Sequence, residues 1–383
     1  MKSAIKAFAG KYFTDENIIY ATFIFIFLPY YLTALWLIFS CIYIITAKKS
    51  SVKLKSGTNI FAIVFFVYTV ITAMLAKNLI GIACSFGFIA MIIISFYARE
   101  RFTPDIFEKS LNLCCISGAV TGAFAIIEYL YNTSVLHHRG VYRCQLYFFN
   151  SNYLATVLAT VIIICAYKVI TYRKNRIFYY SCALLCTIGT YLTGSMFVWV
   201  EVLIGISVLL LLTRCHQLLS ILLLLAVTAC IVLYCAPQIV PRIHDSNITT
   251  DNRVLIWKVS IEAIKRSPVF GKGFLTYFHI YKHYPHSYPT THAHNIFIEP
   301  ILSFGIIGTI LLVVFFTGYY KRVILCRNAQ SKYYATALIL SITAALLIHG
   351  TTDLTFMWIQ TGFLYCMISG SVGIEERFLK LET

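Results

Sequence analysis

The sequence predicts an all-α integral membrane protein of about twelve transmembrane helices with one large extracytoplasmic loop. Three observations predict it. Of 383 residues, 59% are hydrophobic and only 12% charged. Almost every long apolar run approaches the roughly 20 residues that cross a bilayer. Lys and Arg gather in alternate loops, as the positive-inside rule requires. A soluble core would need polar surface to balance such a composition, so no part reads as an ordinary soluble domain. The excess of 31 Lys and Arg over 15 Asp and Glu could suggest a nucleic-acid partner, but cytoplasmic loops of membrane proteins carry the same excess. The loop positions favour topology and no nucleic acid. Thirteen cysteines fall mostly inside apolar runs, as Cys114, Cys115, Cys182, Cys186 and Cys230 do, where a thiol behaves as a small buried hydrophobe. No disulfide framework is inferred.

At the N-terminus, Lys2, Lys6 and Lys11 precede an apolar stretch with no small-residue cleavage site, which reads as an anchor that stays attached. The first stretch, 18–45, is too long for one ordinary span and carries Pro29 at its middle, so it reads as two short helices. Further spans follow at 59–76, 78–97, 110–130, 150–170, 176–193, 195–213, 216–236, 294–317, 333–349 and 352–372, each bounded by a charge, a Pro/Gly break or a polar cluster. That makes twelve in a single polytopic domain over 1–383. With the N-terminus inside, the cytoplasmic segments collect Lys48, Lys49, Lys53 and Lys55; Arg99, Arg101 and Lys109; Arg173, Lys174 and Arg176; and Lys321, Arg322, Arg327 and Lys332. The short outer loops hold chiefly Lys77, Arg139 and Arg143, which places both termini in the cytoplasm.

The large outer loop, 237–293, carries Arg242, Arg253, Lys258, Lys265, Arg266, Lys272 and Lys282 against few acids. Long translocated loops are exempt from the positive-inside rule, so this charge needs another reason. Thr250 or Asp251 can cap a helix over 252–266 in which Val254, Ile256, Trp257, Ile261 and Ile264 alternate with basic residues, and Pro268 stops it. Such a helix suits either the headgroup level of a membrane or a seat on top of the bundle. Gly271-Lys272-Gly273 is a turn whose N–H groups and lysine could approach an anion, a weak signal on two glycines.

His279, His283, His286, His292 and His294 crowd one stretch, and their i,i+4 and i,i+2 spacings suggest a metal. No Cys and few carboxylates accompany them, so no metal is assigned and most should face water, headgroups or glycan. His294 differs because it begins a span, at the outer boundary, where an imidazole can take a proton from a hydroxyl. The alternative is a capping histidine.

His294-Asn295-Ile296-Phe297-Ile298-Glu299, then Gly305-Ile306-Ile307-Gly308, preceded by Arg253-Val254-Leu255-Ile256-Trp257 and by Pro268-Val269-Phe270-Gly271-Lys272-Gly273, resembles the bacterial O-antigen ligase and O-antigen polymerase superfamily. Arg143 followed by Asn150-Ser151-Asn152-Tyr153-Leu154-Ala155 is similar to that family's earlier Arg and Pro-Asn-x-Leu-Ala segment, with Ser in place of Pro. Members usually carry Ser-Arg near Thr193-Gly194-Ser195, and this chain has Met196 where that arginine would be.

The resemblance implies a GT-C-like glycosyltransferase of the bacterial cytoplasmic membrane, acting outside it in cell-surface polysaccharide and lipopolysaccharide synthesis without a metal or other cofactor. Its donor would be a glycan on a polyprenyl pyrophosphate, and its acceptor a glycan, lipid or protein. Such a transfer needs a base for the acceptor hydroxyl and cations for the departing diphosphate. His294 fits the first role, and Arg253 and Arg143 fit the second. Lys272 could add to the donor site. Asn295 and Glu299, four apart on one helical face, could hold sugar hydroxyls or orient an arginine, and Pro300 could bend the span open. Asp353, across the turn from His349, could orient His294, the alternative being a helix cap. Glu201, nearly alone at depth, reads as an interhelical hydrogen bond. The rival from another class is a membrane transporter or flippase of lipid-linked glycans, which would show a charged mid-membrane path and an internal repeat.

Overall fold

The computed structural model describes residues 14–46, 57–137, 142–172, 174–237, 246–327 and 334–374. The predicted basic segments holding Lys2, Lys6, Lys11, Lys48, Lys49, Lys53, Lys55, Arg139, Arg173, Arg242 and Lys332 lie outside them. Every regular element among the described residues is a helix, as a protein in lipid requires when its backbone polar groups must be satisfied internally. Helices α1 (Asp15–Phe25) and α2 (Tyr30–Thr46) flank Pro29. The break is stitched by the Thr33 hydroxyl, which donates to the Phe25 carbonyl at 2.8 Å. Then come α3 (Gly57–Leu75), α4 (Leu79–Arg101), α5 (Pro104–Leu130), α6 (Ser151–Thr171), α7 (Arg176–Leu192), α8 (Val198–Leu212) and α9 (His216–Cys235). The loop helices are α10 (Ser246–Arg266) and α11 (Thr276–Ile280), followed by α12 (Ile298–Arg327), α13 (Ala335–His349) and α14 (Ile359–Ser369). Among the described residues, five helices are long and apolar enough to cross a membrane, and shorter apolar helices occur besides them. The protein is a membrane protein.

α6 is the core of the bundle, buried along nearly its whole length and packed by α5, α7, α8, α13 and α14. Small residues let the backbones approach: a Cβ on Gly122 of α5 would lie 2.4 Å from the Leu185 carbonyl of α7. α9 has no buried residue; its apolar surface turns outward to lipid. Charges inside the helices are paired, as their depth demands. Glu108 meets Lys168 at 2.5 Å and the Tyr167 hydroxyl at 2.9 Å. Glu201, far from being alone, lies 2.5 Å from His349 Nδ1.

Three expectations are corrected. The loop helix begins at Ser246, so Thr250 and Asp251 lie within it and do not cap it. Its buried face is Ile256, Val259 and Ala263, seated on Tyr277, Ile280 and Leu302, while Ile261 is exposed. The last two outer boundaries also move inward, to Ile298 and Ile359, leaving His294 and Asp353 outside the spanning helices. Finally, Pro300 sits in the first turn of α12, where an N–H is not needed, and the break falls at Gly305 (φ 62°, ψ −172°).

That break is filled by the loop. The Ile306 N–H donates to the Pro268 carbonyl at 2.9 Å and the Ile307 N–H to Val269 at 3.2 Å, while Ser303 O accepts from the N–H groups of Lys272 and Gly273 at 3.0 and 2.8 Å. The Tyr68 hydroxyl lies 2.9 Å from Phe270 O and 2.7 Å from Phe304 O. A Cβ on Gly271 would fall 2.4 Å from Ser303 O, and one on Gly305 2.3 Å from Val269 O. Both positions also have positive φ, so both need glycine.

Candidate active site

The chain leading into α12 makes a left-handed step at His294 (φ 50°). Two internal bonds hold the step. Glu299, buried in the first turn of α12, accepts from the Ala293 N–H at 2.7 Å and from the Ser303 hydroxyl at 2.6 Å. Asn295 caps the helix, its Oδ1 accepting from the Phe297 and Ile298 N–H groups, and its amide donates to Thr351 O at 3.1 Å. These two residues share no helical face, because α12 starts beyond Asn295; both are spent on positioning.

The turn after α13 brings Asp353 to the same place. His294 Nδ1 is 2.8 Å from Asp353 Oδ1, and this oxygen also accepts from the Leu354 N–H at 2.8 Å. Burial by itself would push the Asp353 carboxyl up, but the adjacent His294, through charge and hydrogen bond, with His292 and His349, holds it well below the usual carboxylate range. An ionised carboxylate can only accept, so Nδ1 of His294 carries the hydrogen, and in the neutral ring the lone pair is on Nε2. Nε2 is 2.7 Å from Thr290 Oγ1; in this tautomer the hydroxyl donates to it. His294 is one-fifth exposed and Asp353 buried.

The other carboxylate oxygen leads to a cation. Asn152, in the first turn of α6, donates to Asp353 Oδ2 at 2.6 Å, and its Oδ1 accepts from Arg143 at 2.8 Å. Arg143 Nε donates to the Thr193 carbonyl at 2.8 Å. The loop bearing Arg143 is held in turn by Glu128, which accepts from the Tyr142 hydroxyl at 2.7 Å and the Leu146 N–H at 3.0 Å. Arg253, half-buried on α10, bears electrostatically on His349. His349 in turn is bound to Glu201, which faces the Thr156 hydroxyl, so the start of the Asp353 turn is anchored in the bundle.

The structure thus brings His294, Asp353 and Arg143 into one bonded chain through Asn152, leaves Arg253 acting electrostatically on His349 at the start of the same turn, and uses Asn295 and Glu299 as support. Lys272 belongs to the interlock with α12, and the N–H groups of Lys272 and Gly273 are taken by Ser303. His279 and His283 fall on either side of a change from α to 3-10 helix, which removes their i,i+4 alignment. Sequence reasoning placed His292 in a histidine cluster expected mostly to face water, headgroups or glycan, whereas it is buried, its ring centroid 4.3 Å from that of His294 and the two planes tilted by 50°. It also gave no role to Asn152, Glu128 or Thr290; only Asn152 had a signal, its place in the Asn150–Ala155 motif.

His292, His294 and Asp353 offer ligand atoms within 4.8 Å of one another, a spacing that would suit a metal ion. His292 Nδ1 accepts from the His294 N–H at 3.2 Å. The proton of the neutral ring is therefore on Nε2, facing Tyr153 Oη at 3.3 Å, and that nitrogen has no lone pair for an ion. Burial, with repulsion from His294 added and Asp353 opposing, pushes His292 down to about 3 from 6.5. The unfolded chain binds this proton at higher pH than the folded one, so stability rises with pH across that window and is lost as pH falls from about 6.5. Thermal stability in detergent should decline between about pH 6.5 and about pH 4.5, and His292→Gln should flatten the decline. An unchanged slope would remove this contribution.

No curated protein matches this chain. Residues 181–313, which hold Arg253, His294 and the Gly305 break, match the family model described as O-antigen ligase; the match supports the resemblance to the O-antigen ligase and polymerase superfamily over that part of the chain.

Proposed function

We propose that the protein is a metal-independent glycosyltransferase of about twelve spans and GT-C type, working on the outer side of the bacterial cytoplasmic membrane. It moves a glycan from a polyprenyl pyrophosphate to an acceptor hydroxyl. The observation that carries this reading is a hydroxyl, that of Thr290, already seated on the basic nitrogen of His294, with Asp353 behind the ring. An acceptor hydroxyl replacing Thr290 there would give its proton to Nε2 while its oxygen attacks the anomeric carbon. The bond from that carbon to the pyrophosphate oxygen breaks, and the electron pair leaves on the diphosphate. Asp353 stabilises the imidazolium so formed, as carboxylates behind catalytic histidines do.

Arg253 and Arg143 supply positive charge for the departing diphosphate. Arg143 is also the guanidinium that docks on the 193–196 segment, where Met196 replaces the family's usual arginine, and we assign the missing charge to it. The bonds from Asp353 through Asn152 to Arg143 fix the cation relative to the base. Lys272 has only a peripheral part, because its segment is engaged by Ser303.

The test is transfer by purified protein from a polyprenyl-pyrophosphate-linked glycan, with polyprenyl pyrophosphate release measured beside glycan attachment. Both should appear in equal amounts and persist in EDTA. Loss in EDTA restored by Zn or Mn would overturn the metal-independent mechanism. Arg143→Ala and Arg253→Ala should each weaken donor binding and lower turnover together, with Lys in either place recovering only part, since a point charge lacks bidentate contact. Full recovery by Lys would leave only nonspecific attraction.

A further inference from the structure

Thr290 holds the place that an acceptor oxygen must take. Its Oγ1 lies 2.7 Å from His294 Nε2, within the reach a general base needs of the group it deprotonates. The neutral ring has one lone pair there, and a water molecule at hydrogen-bond distance along it would overlap the threonine oxygen. While Thr290 stays, the base is closed to every other hydroxyl.

The segment carrying Thr290 can move. Residues 285–291 take no regular structure, and Pro285, His286, Tyr288 and Pro289 are exposed. The two ends are fixed. Tyr284 is buried, with the Arg266 guanidinium over its ring at 4.9 Å, and His292 and Ala293 are buried at the other end. Between them the buried Tyr277 donates its hydroxyl proton to the Tyr288 carbonyl at 3.0 Å, and Thr290 donates to His294. Such a strap swings aside by exchanging hydrogen bonds, with no helix to unwind.

Moving it discriminates between nucleophiles. A water molecule in place of Thr290 exchanges one hydrogen bond for another and brings nothing to offset the loss at Tyr288. A large acceptor brings contacts of its own to the exposed strap, and that binding can drive the displacement, as induced fit does where an enzyme must prevent hydrolysis. The chemistry differs only in the nucleophile. With either, an oxygen bonds the anomeric carbon, its proton goes to Nε2, and the electron pair of the broken bond leaves on the diphosphate; with water the product is free glycan. We infer, resting on the transfer reaction proposed above, that Thr290 selects acceptor over water by covering His294 Nε2 until an acceptor displaces the 285–291 strap.

The test uses donor alone. The polyprenyl-pyrophosphate-linked glycan extracted from cells that express the protein would be incubated with purified protein in buffer, and again with methanol added as a small nucleophile. The unaltered protein should form little free glycan and little methyl glycoside. Thr290→Ala, which vacates the acceptor place, should raise both by about tenfold, the weight of one hydrogen bond. Thr290→Ser keeps the hydroxyl and should stay at the unaltered level. Tyr277→Phe frees the strap without touching the base and should raise both products by a smaller factor; it decides the matter if Thr290→Ala does not fold. No rise in Thr290→Ala, with only a lower Tm, would make the residue structural and overturn the proposal. A glycan found on Thr290 by peptide mass would also overturn it, because the hydroxyl would then be an acceptor or a covalent carrier. Adding His294→Ala to Thr290→Ala should abolish both products. Their persistence would refute the base itself, a failure distinct from an unchanged product level in Thr290→Ala alone.

Discussion

Replacing His294 by alanine is expected to leave the protein inserted and able to bind its lipid-linked donor while transfer falls by about 10²- to 10⁴-fold, the usual loss when a general base is removed. The ring is held from both sides, by Asp353 at Nδ1 and by a hydroxyl at Nε2, so the substitution removes the proton acceptor and little else. Glu299 and Asn295 keep the backbone step in place through bonds that do not involve the imidazole. His279→Ala and His283→Ala serve as controls and should be nearly silent. Full activity in a correctly inserted His294→Ala protein would end the proposed mechanism, whatever the family match.

The second large effect is expected at Asp353. Its carboxylate receives three donors: His294 Nδ1, the Leu354 N–H and the Asn152 amide. In Asp353→Asn one oxygen becomes an NH₂ group, which must face a donor. If it faces His294, the ring is driven to the wrong tautomer. If it faces Asn152, that amide has to flip and then presents its own NH₂ to Arg143. We expect turnover to fall by about 10³-fold or more, with donor affinity changing much less. Adding Asn152→Asp to Asp353→Asn restores complementary bonds throughout, because the new carboxylate accepts from both the new amide and Arg143. It should recover about tenfold of the loss. A merely structural Asp353 would give a destabilised protein in the single variant and no rescue of turnover in the double.

Much of the framework was legible because it rests on composition and on period. The break at Pro29 and the start of α6 just after Asn150 follow from punctuation that lipid makes strict. His294 and Asp353 were legible by position, since both stand where apolar runs end. What could not be read depends on where the outer chain folds back. Asn295 and Glu299 look like one helical face only if the helix already includes Asn295. His292 is buried beside Tyr153, whose hydroxyl lies 3.3 Å from its Nε2 across 139 residues of sequence. The glycines of Gly271-Lys272-Gly273 suggest an anion cradle in isolation, whereas their N–H groups meet a carbonyl that Gly305 releases. Val259 and Ala263 were passed over on α10 because its seat is made by Tyr277 and Ile280, residues in a stretch with no readable period.

The break at Gly305 also dictates an order of assembly. Until the 268–273 segment arrives, the N–H groups of Ile306 and Ile307 have no carbonyl to donate to, and an unpaired peptide group in hydrocarbon costs several kcal/mol. The outer half of α12 therefore cannot settle into lipid ahead of its own preceding loop. Translocation of the loop, its docking on Tyr68 and completion of the helix become one cooperative event. His294, carried on the short stretch between loop and helix, reaches Asp353 only when that event is finished, so on the proposed mechanism a half-inserted chain would also be an inactive one.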